Sequence, residues 1–205
     1  MPRGPDRAPA RHLVGIFGGT FDPPHVGHTR VAADVADALD LERVLWIPAG
    51  EPPHKPRGRV SPAATRLDMV RAAARADPRF EVSTLECDRP GTSFTVDTLA
   101  ALRQAMPDAS LVLILGADQF AELASWRGPE RILGMAHVAV MDRHGASARL
   151  ARPDLTGAER AQVVPVRRVD VSSTDVRRLV RDGRDVSTLV PPGVLEIIER
   201  EGLYA

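Results

Sequence analysis

Residues 18–28 read Gly18-Gly19-Thr20-Phe21-Asp22-Pro23-Pro24-His25-Val26-Gly27-His28. They follow an apolar run at 13–17 and lead into a helical-looking segment at 29–39. Two adjacent glycines, a hydroxyl and two histidines therefore fall between an expected strand and an expected helix. Open α/β sheets bind ligands at this place, the carboxyl ends of the strands. Glycine lets a phosphate approach the backbone closely. The helix N-terminus adds unpaired N–H groups and a partial positive charge. His25 and His28 bring side-chain donors to the same spot. Two other phosphate signatures are missing: no G-x-G-x-x-G follows the first run, and no G-x-x-x-x-G-K-[ST] occurs.

Working outward, the apolar runs 44–47, 111–115 and 137–141 join 13–17 as expected buried parallel strands. The stretch 80–85 alternates more, and 163–166 is weaker. Helical patterns lie between them. Ser61-Pro62 supplies an N-cap and a proline at the first helical position, and Leu67, Val70 and Ala74 then share one face, through Ala76. Further helices are expected at 93–104, at 119–124 and after Pro191-Pro192, where Val194, Ile197 and Ile198 form a stripe. Alternating strands and helices predict an α/β fold with a parallel sheet and right-handed crossovers. Neither an internal repeat nor a linker is visible. Residues 1–12 read as a disordered extension and 13–205 as a single domain. Two segments break the pattern. Residues 49–60 are too rich in proline for a helix or an inner strand, which leaves a lid, a binding loop or a flexible connection. Residues 143–162 are polar and rich in arginine; they can carry a short helix or form a variable surface excursion, and read rather as the excursion.

Composition narrows the functions. In 205 residues, Lys+Arg and Asp+Glu number 27 each, so the net formal charge is zero. This argues against nucleic-acid binding through bulk charge, and leaves room for a local polyphosphate pocket. The single cysteine, Cys87, excludes an intramolecular disulfide and a cysteine-based zinc cluster, and fits a reducing cytoplasm. No apolar run approaches membrane-spanning length. The opening MPRGPDRAPAR lacks the apolar centre expected of a signal peptide.

A second constellation is Val171-Ser172-Ser173-Thr174-Asp175-Val176-Arg177-Arg178. Three hydroxyls before a helical stretch can cap its N–H groups or bond a phosphate. Arg177, three residues after Thr174, can reach the same terminus and grip two phosphate oxygens, or it can be a solvated arginine behind a plain cap. A third is Gly116-Ala117-Asp118, directly after the run 111–115. Its carboxylate can take two ribose hydroxyls or cap the next helix. A fourth is Thr92-Ser93-Phe94-Thr95 at a helix start, where unpaired amides favour a negatively charged group. Trp126 offers a flat face to a heterocycle, or fills the core.

The string GGTFDPPHVGH resembles the (His/Thr)-x-Gly-His signature of the nucleotidyltransferase superfamily, in the form carried by nicotinate-nucleotide adenylyltransferases. VSSTDVR is similar to that family's Ile-Ser-x-Thr-x-x-Arg motif, with Val171 in the isoleucine position. LILGADQF resembles its Gly-x-Asp adenosine turn, and the closing Gly202-Leu203-Tyr204 looks like family endings. The likeness covers nearly all of the chain after residue 12. It implies a Rossmann-like doubly wound sheet of nucleotidyltransferase type with a small C-terminal helical portion.

The resemblance also implies roles. His25, His28 and Arg177 would be catalytic. Gly18, Gly19, Thr20, Phe21, Gly116, Asp118, Arg143, Ser172, Ser173 and Thr174 would bind ATP. Asp22, His54, Lys55, Phe94, Thr95 and Trp126 would bind the mononucleotide. Phe94 stands where the family commonly has tyrosine, which costs a hydroxyl and keeps the backbone donors. Gly50 stands where relatives often carry Asn or Ser.

The implied reaction moves AMP from ATP to nicotinate mononucleotide and releases pyrophosphate, in NAD biosynthesis. Mg²⁺ is expected with ATP, ligated by water and substrate, with no all-protein metal cage. Nicotinamide mononucleotide and phosphopantetheine are the alternative acceptors. A nucleotide-binding regulator without turnover, or a metal hydrolase using His25 and His28, are readings from other classes. No nucleic-acid or membrane partner is expected, and a homo-oligomer stays open.

Overall fold

The computed structural model describes residues 12–52, 60–142 and 154–205. The expected extension, apart from His12, the middle of the 49–60 loop and the stretch 143–153 lie outside the described residues.

Six strands form one sheet: β1 (Leu13–Gly19), β2 (Arg43–Pro48), β3 (Phe80–Val82), β4 (Ser110–Gly116), β5 (His137–Asp142) and β6 (Gln162–Pro165). All pairings are parallel, in the order β3-β2-β1-β4-β5-β6. The chain therefore builds outward from β1 through β2 to β3, then crosses back to lay β4 on the other side. This reversal opens a crevice between β1 and β4 at their carboxyl ends, the expected ligand position in a doubly wound sheet.

The two-residue period of a strand sorts side chains onto two cores. On one face Leu111, Leu113 and Leu115 pack with Val14, Ile16 and Ile47. On the other, Val112 and Ile114 pack with Phe17, Val44 and Trp46. Helices α3 (Thr95–Ala105) and α5 (Pro129–Met135) cover the first face through Leu99 and Ile132. Helix α1 (Val26–Leu39) covers the second through Val31 and Val35. A third cluster joins α2 (Ala63–Ala74) to the C-terminal helices α6 (Ser173–Arg181) and α7 (Pro192–Glu201), through Met69, Ala73, Val176, Val194, Ile197 and Ile198.

Several local expectations shift. Helix α1 begins at Val26, so His25 is its N-cap. The buried face of α2 starts at Arg66, a spacing of three and four from Met69 and Val70, and Leu67 is only half-buried. Strand β3 ends at Val82; the bond from Ser83 N–H to the Trp46 carbonyl at 3.0 Å is its last rung on β2. The helix expected at 119–124 is two pieces, α4 (Ala117–Ala121) and a 3₁₀ turn (Leu123–Ser125). Helix α5 was not expected. It enters through Gly128 at φ 64° and starts at Pro129. The described end of the 143–162 excursion is not all surface: a 3₁₀ turn (Ala158–Arg160) buries Ala158 at 1% exposure in the first core.

Candidate active site

Where β1 ends, Gly18 is exposed, while Gly19 and Thr20 are half-buried. The chain then dives: Phe21, Asp22, Pro23, Pro24 and His25 are all buried. The Phe21 ring packs on Phe17, Trp46 and His28, with centroids 5.5, 5.2 and 5.2 Å away. Phe21 can therefore offer a ligand its backbone rather than its ring. The Asp22–Pro23 peptide is cis.

His25 backbone N–H donates to His28 Nδ1 at 3.1 Å. An accepting Nδ1 places the proton of a neutral His28 on Nε2, leaving that nitrogen a donor. The two imidazoles lie 3.7 Å apart at a 32° tilt. Gly27 makes room for this: a Cβ there would meet His25 Nδ1 at 2.9 Å and Val171 Cγ1 at 3.2 Å.

The late motif docks directly on this turn. Ser173 Oγ donates to the Pro23 carbonyl at 2.9 Å, and Arg177 Nη1 donates to the Asp22 carbonyl at 2.7 Å. Arg177 Nη2 also reaches Thr174 Oγ1 at 3.2 Å. Ser172 is the N-cap of α6: its hydroxyl accepts from Asp175 N–H at 3.1 Å and donates to that carboxylate at 2.6 Å. The Ser172 and Ser173 side chains are thus engaged within the protein, and what this end of α6 presents is its first amides and the Arg177 N–H groups beyond the two already bonded to Asp22 and Thr174. Asp175, held low by the Ser172 hydroxyl and then by Arg178, stays ionised in the first turn of α6.

Asp22 is a hub. Tyr204 Oη donates to Oδ1 at 2.6 Å and Ser61 N–H to Oδ2 at 3.2 Å. Burial, and then the neighbouring carboxylate, push the Tyr204 phenol far above its ordinary value, so it remains a donor. Both oxygens of Asp22 face inward contacts, and the side chain is 3% exposed.

Beside the turn, across β1 and β4, lies a cavity of about 470 Å³. Gly18, Gly19 and Thr20 line it with Phe94, Thr95 and Trp126. Phe94 is the N-cap of α3, so the start of that helix, Phe94 and Thr95, borders the cavity. Trp126 is half-buried there, unlike Trp46, which is fully buried in the core. Gly116 caps α4, and Asp118 is exposed in its first turn, so capping is not the role of Asp118. His25 and His28 border the turn rather than line the cavity. His54, Lys55 and Arg143 lie outside the described residues.

Four residues at the site were not singled out from the sequence. Arg66, 1% exposed, donates from Nε, Nη1 and Nη2 to the carbonyls of Ser61, Thr20 and Gly50, each at 2.9 Å. Its position on the buried face of α2 was the available signal. Glu86 lines the cavity and takes the Thr98 hydroxyl at 2.6 Å. Burial pushes its carboxyl up, against the hydroxyls of Thr98 and Ser93 and the charge of Arg89. Gly50 packs so closely on the Glu86 carbonyl that a Cβ there would overlap it, which explains glycine at that position. Arg127 and Tyr204 complete the set: Arg127 carries no local signal, and Tyr204 stands out only as part of the closing Gly202-Leu203-Tyr204, with no site role. Among the described residues, no group of three or more His, Cys, Asp or Glu side chains could hold a metal ion. No described helix is long and apolar enough to cross a membrane.

Residues 16–179 match the cytidylyltransferase-like family model. A Roseiflexus protein described as "Probable nicotinate-nucleotide adenylyltransferase" is 45% identical over 194 residues, covering 93% of this chain and 97% of its own. One of the same description from Thermomicrobium roseum is 42% identical over 195 residues, covering 93% and 91%. The Plasmodium falciparum nicotinic acid mononucleotide adenylyltransferase complexed with NaAD superposes with a TM-score of 0.76 at 16% identity, over 95% of this chain and 98% of that one, a likeness of fold. With its doubly wound sheet and its two motifs in contact at the switch point, the chain belongs to the cytidylyltransferase-like family and, within it, to the nicotinate-nucleotide adenylyltransferases.

Proposed function

We propose that this chain transfers AMP from ATP to nicotinate mononucleotide, forming nicotinate adenine dinucleotide and pyrophosphate. The observation that carries this reading is the contact between the two motifs: Arg177 on the Asp22 carbonyl at 2.7 Å and Ser173 on the Pro23 carbonyl at 2.9 Å, beside a cavity lined by Trp126 and Phe94. One triphosphate can meet the turn and the α6 terminus together, and a flat pyridine suits the aromatic cavity.

A 5′-phosphate oxygen of the mononucleotide attacks the α-phosphorus of ATP in line, and the bond to the bridging oxygen breaks with its electron pair leaving on pyrophosphate. The attacking oxygen is already anionic, so no protein base is needed and no covalent intermediate forms on the enzyme. Catalysis is positioning and charge stabilisation. His28 Nε2–H and His25 donate to phosphate oxygens as charge develops. The Gly18-Gly19 amides and Thr20 line the same path. Arg177, with Thr174 and the α6 amides, holds the departing pyrophosphate. Asp118 takes the ribose hydroxyls. The donors gathered here are imidazole, amide, hydroxyl and guanidinium, which suit phosphate oxygens. Mg²⁺ bound to the triphosphate would lower its charge, ligated chiefly by phosphate and water. The half-buried lone Cys87 fits a cytoplasmic setting.

The test is pyrophosphate release and dinucleotide formation from MgATP with nicotinate mononucleotide, nicotinamide mononucleotide and phosphopantetheine in parallel. Turnover is expected chiefly with the first, and His28→Ala is expected to lower kcat by about 10²–10³. Preference for either other acceptor, or ATP binding with no pyrophosphate released, would reject this reading.

A further inference from the structure

Among the described residues lining the cavity, charge is carried by two: Glu86 and Arg127. Glu86 is 9% exposed and its carboxyl is occupied by the hydroxyls of Thr98 and Ser93. Ser93 Oγ is held in turn by Gly50 N–H at 3.1 Å. The Glu86 carboxyl is thus engaged by neighbouring hydroxyls of the protein. Arg127 differs. Its guanidinium carbon sits 4.8 Å from the centroid of the Phe94 ring, at the N-cap of α3. This stacking holds a full positive charge above a helix terminus that is already partly positive. Among the described residues its ion-pair partner is Asp97, 3.4 Å away, with the two side chains 62% and 42% exposed. Such a pair is weak. The guanidinium can exchange Asp97 for a ligand oxygen at little cost.

We propose that Arg127 is the residue that selects the charge of the acceptor, favouring a pyridine bearing a carboxylate over one bearing a neutral carboxamide. The inference rests on the reading of the reaction given above and assigns part of its selectivity to one side chain. Backbone amides can bond a carboxylate oxygen or a carboxamide oxygen, so by themselves they discriminate modestly. A guanidinium fork bonds a carboxylate at two oxygens, whereas a carboxamide presents one oxygen and an NH₂ that repels it. Tryptophan and phenylalanine faces accept both rings alike. The Phe94 stack supplies the rigidity that aims the fork.

The experiment measures kcat/KM for nicotinate and nicotinamide mononucleotides at saturating MgATP, with wild type, Arg127→Gln and Arg127→Lys, at low and high salt. In Arg127→Gln the nicotinate value is expected to fall about tenfold more than the nicotinamide value. Arg127→Lys should keep part of the preference, because it keeps the charge and loses the fork. The salt sensitivity of the nicotinate value should shrink in Arg127→Gln. Equal losses for both acceptors would mean that Arg127 only props Phe94, and would overturn the inference. So would an unchanged ratio. Wild-type enzyme inactive on nicotinate mononucleotide would instead reject the underlying reaction and this inference with it, an outcome visible before any variant is compared.

Discussion

Tyr204, next to the last residue of the chain, donates its phenol proton to Asp22 Oδ1 at 2.6 Å, across 182 positions of sequence. The carbonyl of the same Asp22 accepts from Arg177 at 2.7 Å. One residue of the first turn thus ties the end of the chain to the arginine of the late motif. Leu189 adds a third tie, its carbonyl taking Val26 N–H at 2.9 Å.

Tyr204→Phe is expected to loosen that turn without removing any group that meets substrate. A hydrogen bond to a charged partner is worth about 1.5–3 kcal/mol, and Ser61 N–H still serves the other oxygen. KM for ATP should rise several-fold while KM for the acceptor holds. In an Arg177→Lys background the same change should add little, because coupled contacts do not sum. Steady-state kinetics on the four proteins decides it, and full additivity would show that Tyr204 acts elsewhere.

Arg66→Met removes donors from three carbonyls at once, those of Ser61, Thr20 and Gly50. The three acceptor residues are half-buried, so each bond lost falls at the low end of about 1–3 kcal/mol, and a loss of about 3 kcal/mol is expected in urea unfolding. Arg66→Lys should recover less than half, since one ammonium cannot reach three diverging oxygens. A loss below about 1 kcal/mol would mean that water replaces the guanidinium freely.

Gly27→Ala separates catalysis from stability. Alanine is the better helix former by about 1 kcal/mol, which offsets the cost of crowding the His25 ring, so the variant should unfold about as easily as wild type. Its methyl would press on His25 Nδ1, 2.9 Å from the ideal Cβ, and shift the imidazole pair. A drop in kcat of about tenfold with unchanged thermal stability is expected, in line with the sensitivity of phosphoryl chemistry to small misplacements. Unchanged kcat would show that the His25 ring can yield.

Glu86→Gln should change the pH dependence of stability. Burial raises the Glu86 carboxyl above its ordinary 4.5. The folded state then binds the proton more tightly than the unfolded chain. The associated stability is full below about 4.5 and is lost as pH rises through the folded value. Glutamine cannot ionise, so the variant should gain on wild type as pH increases over that window. Urea midpoints from pH 4.5 upward would reveal this; a constant difference would show that Glu86 titrates alike in both states.

Most strands were legible because a buried parallel strand is written as a short apolar run. The runs at 13–17, 44–47, 111–115 and 137–141 lie within β1, β2, β4 and β5. Helix α5 was hidden because Gly128 and Pro129 look like a break in a sequence, whereas here they are its cap and first residue. Arg66 was hidden for a different reason. A charged residue on an apolar face reads as an interruption until three carbonyls are seen to converge on it. The engaged hydroxyls of Ser172 and Ser173 were also out of reach, because hydroxyl residues before a helix suit a phosphate and a backbone cap equally well.

Strand–turn–helix order and the chemistry of the two motifs were written locally, since side-chain period, capping and glycine placement act within a few residues. The amino-acid order alone was therefore enough for the α/β class and for the kind of ligand. Which distant groups would touch was settled by packing. Only the β3-β2-β1-β4-β5-β6 order, with α6 and α7 docked against α2, brings Arg177, Tyr204 and Arg66 onto one turn and stacks Arg127 over Phe94. Contacts across 150 residues or more carry no periodic signature; they exist because burying three apolar clusters leaves the chain one compact path.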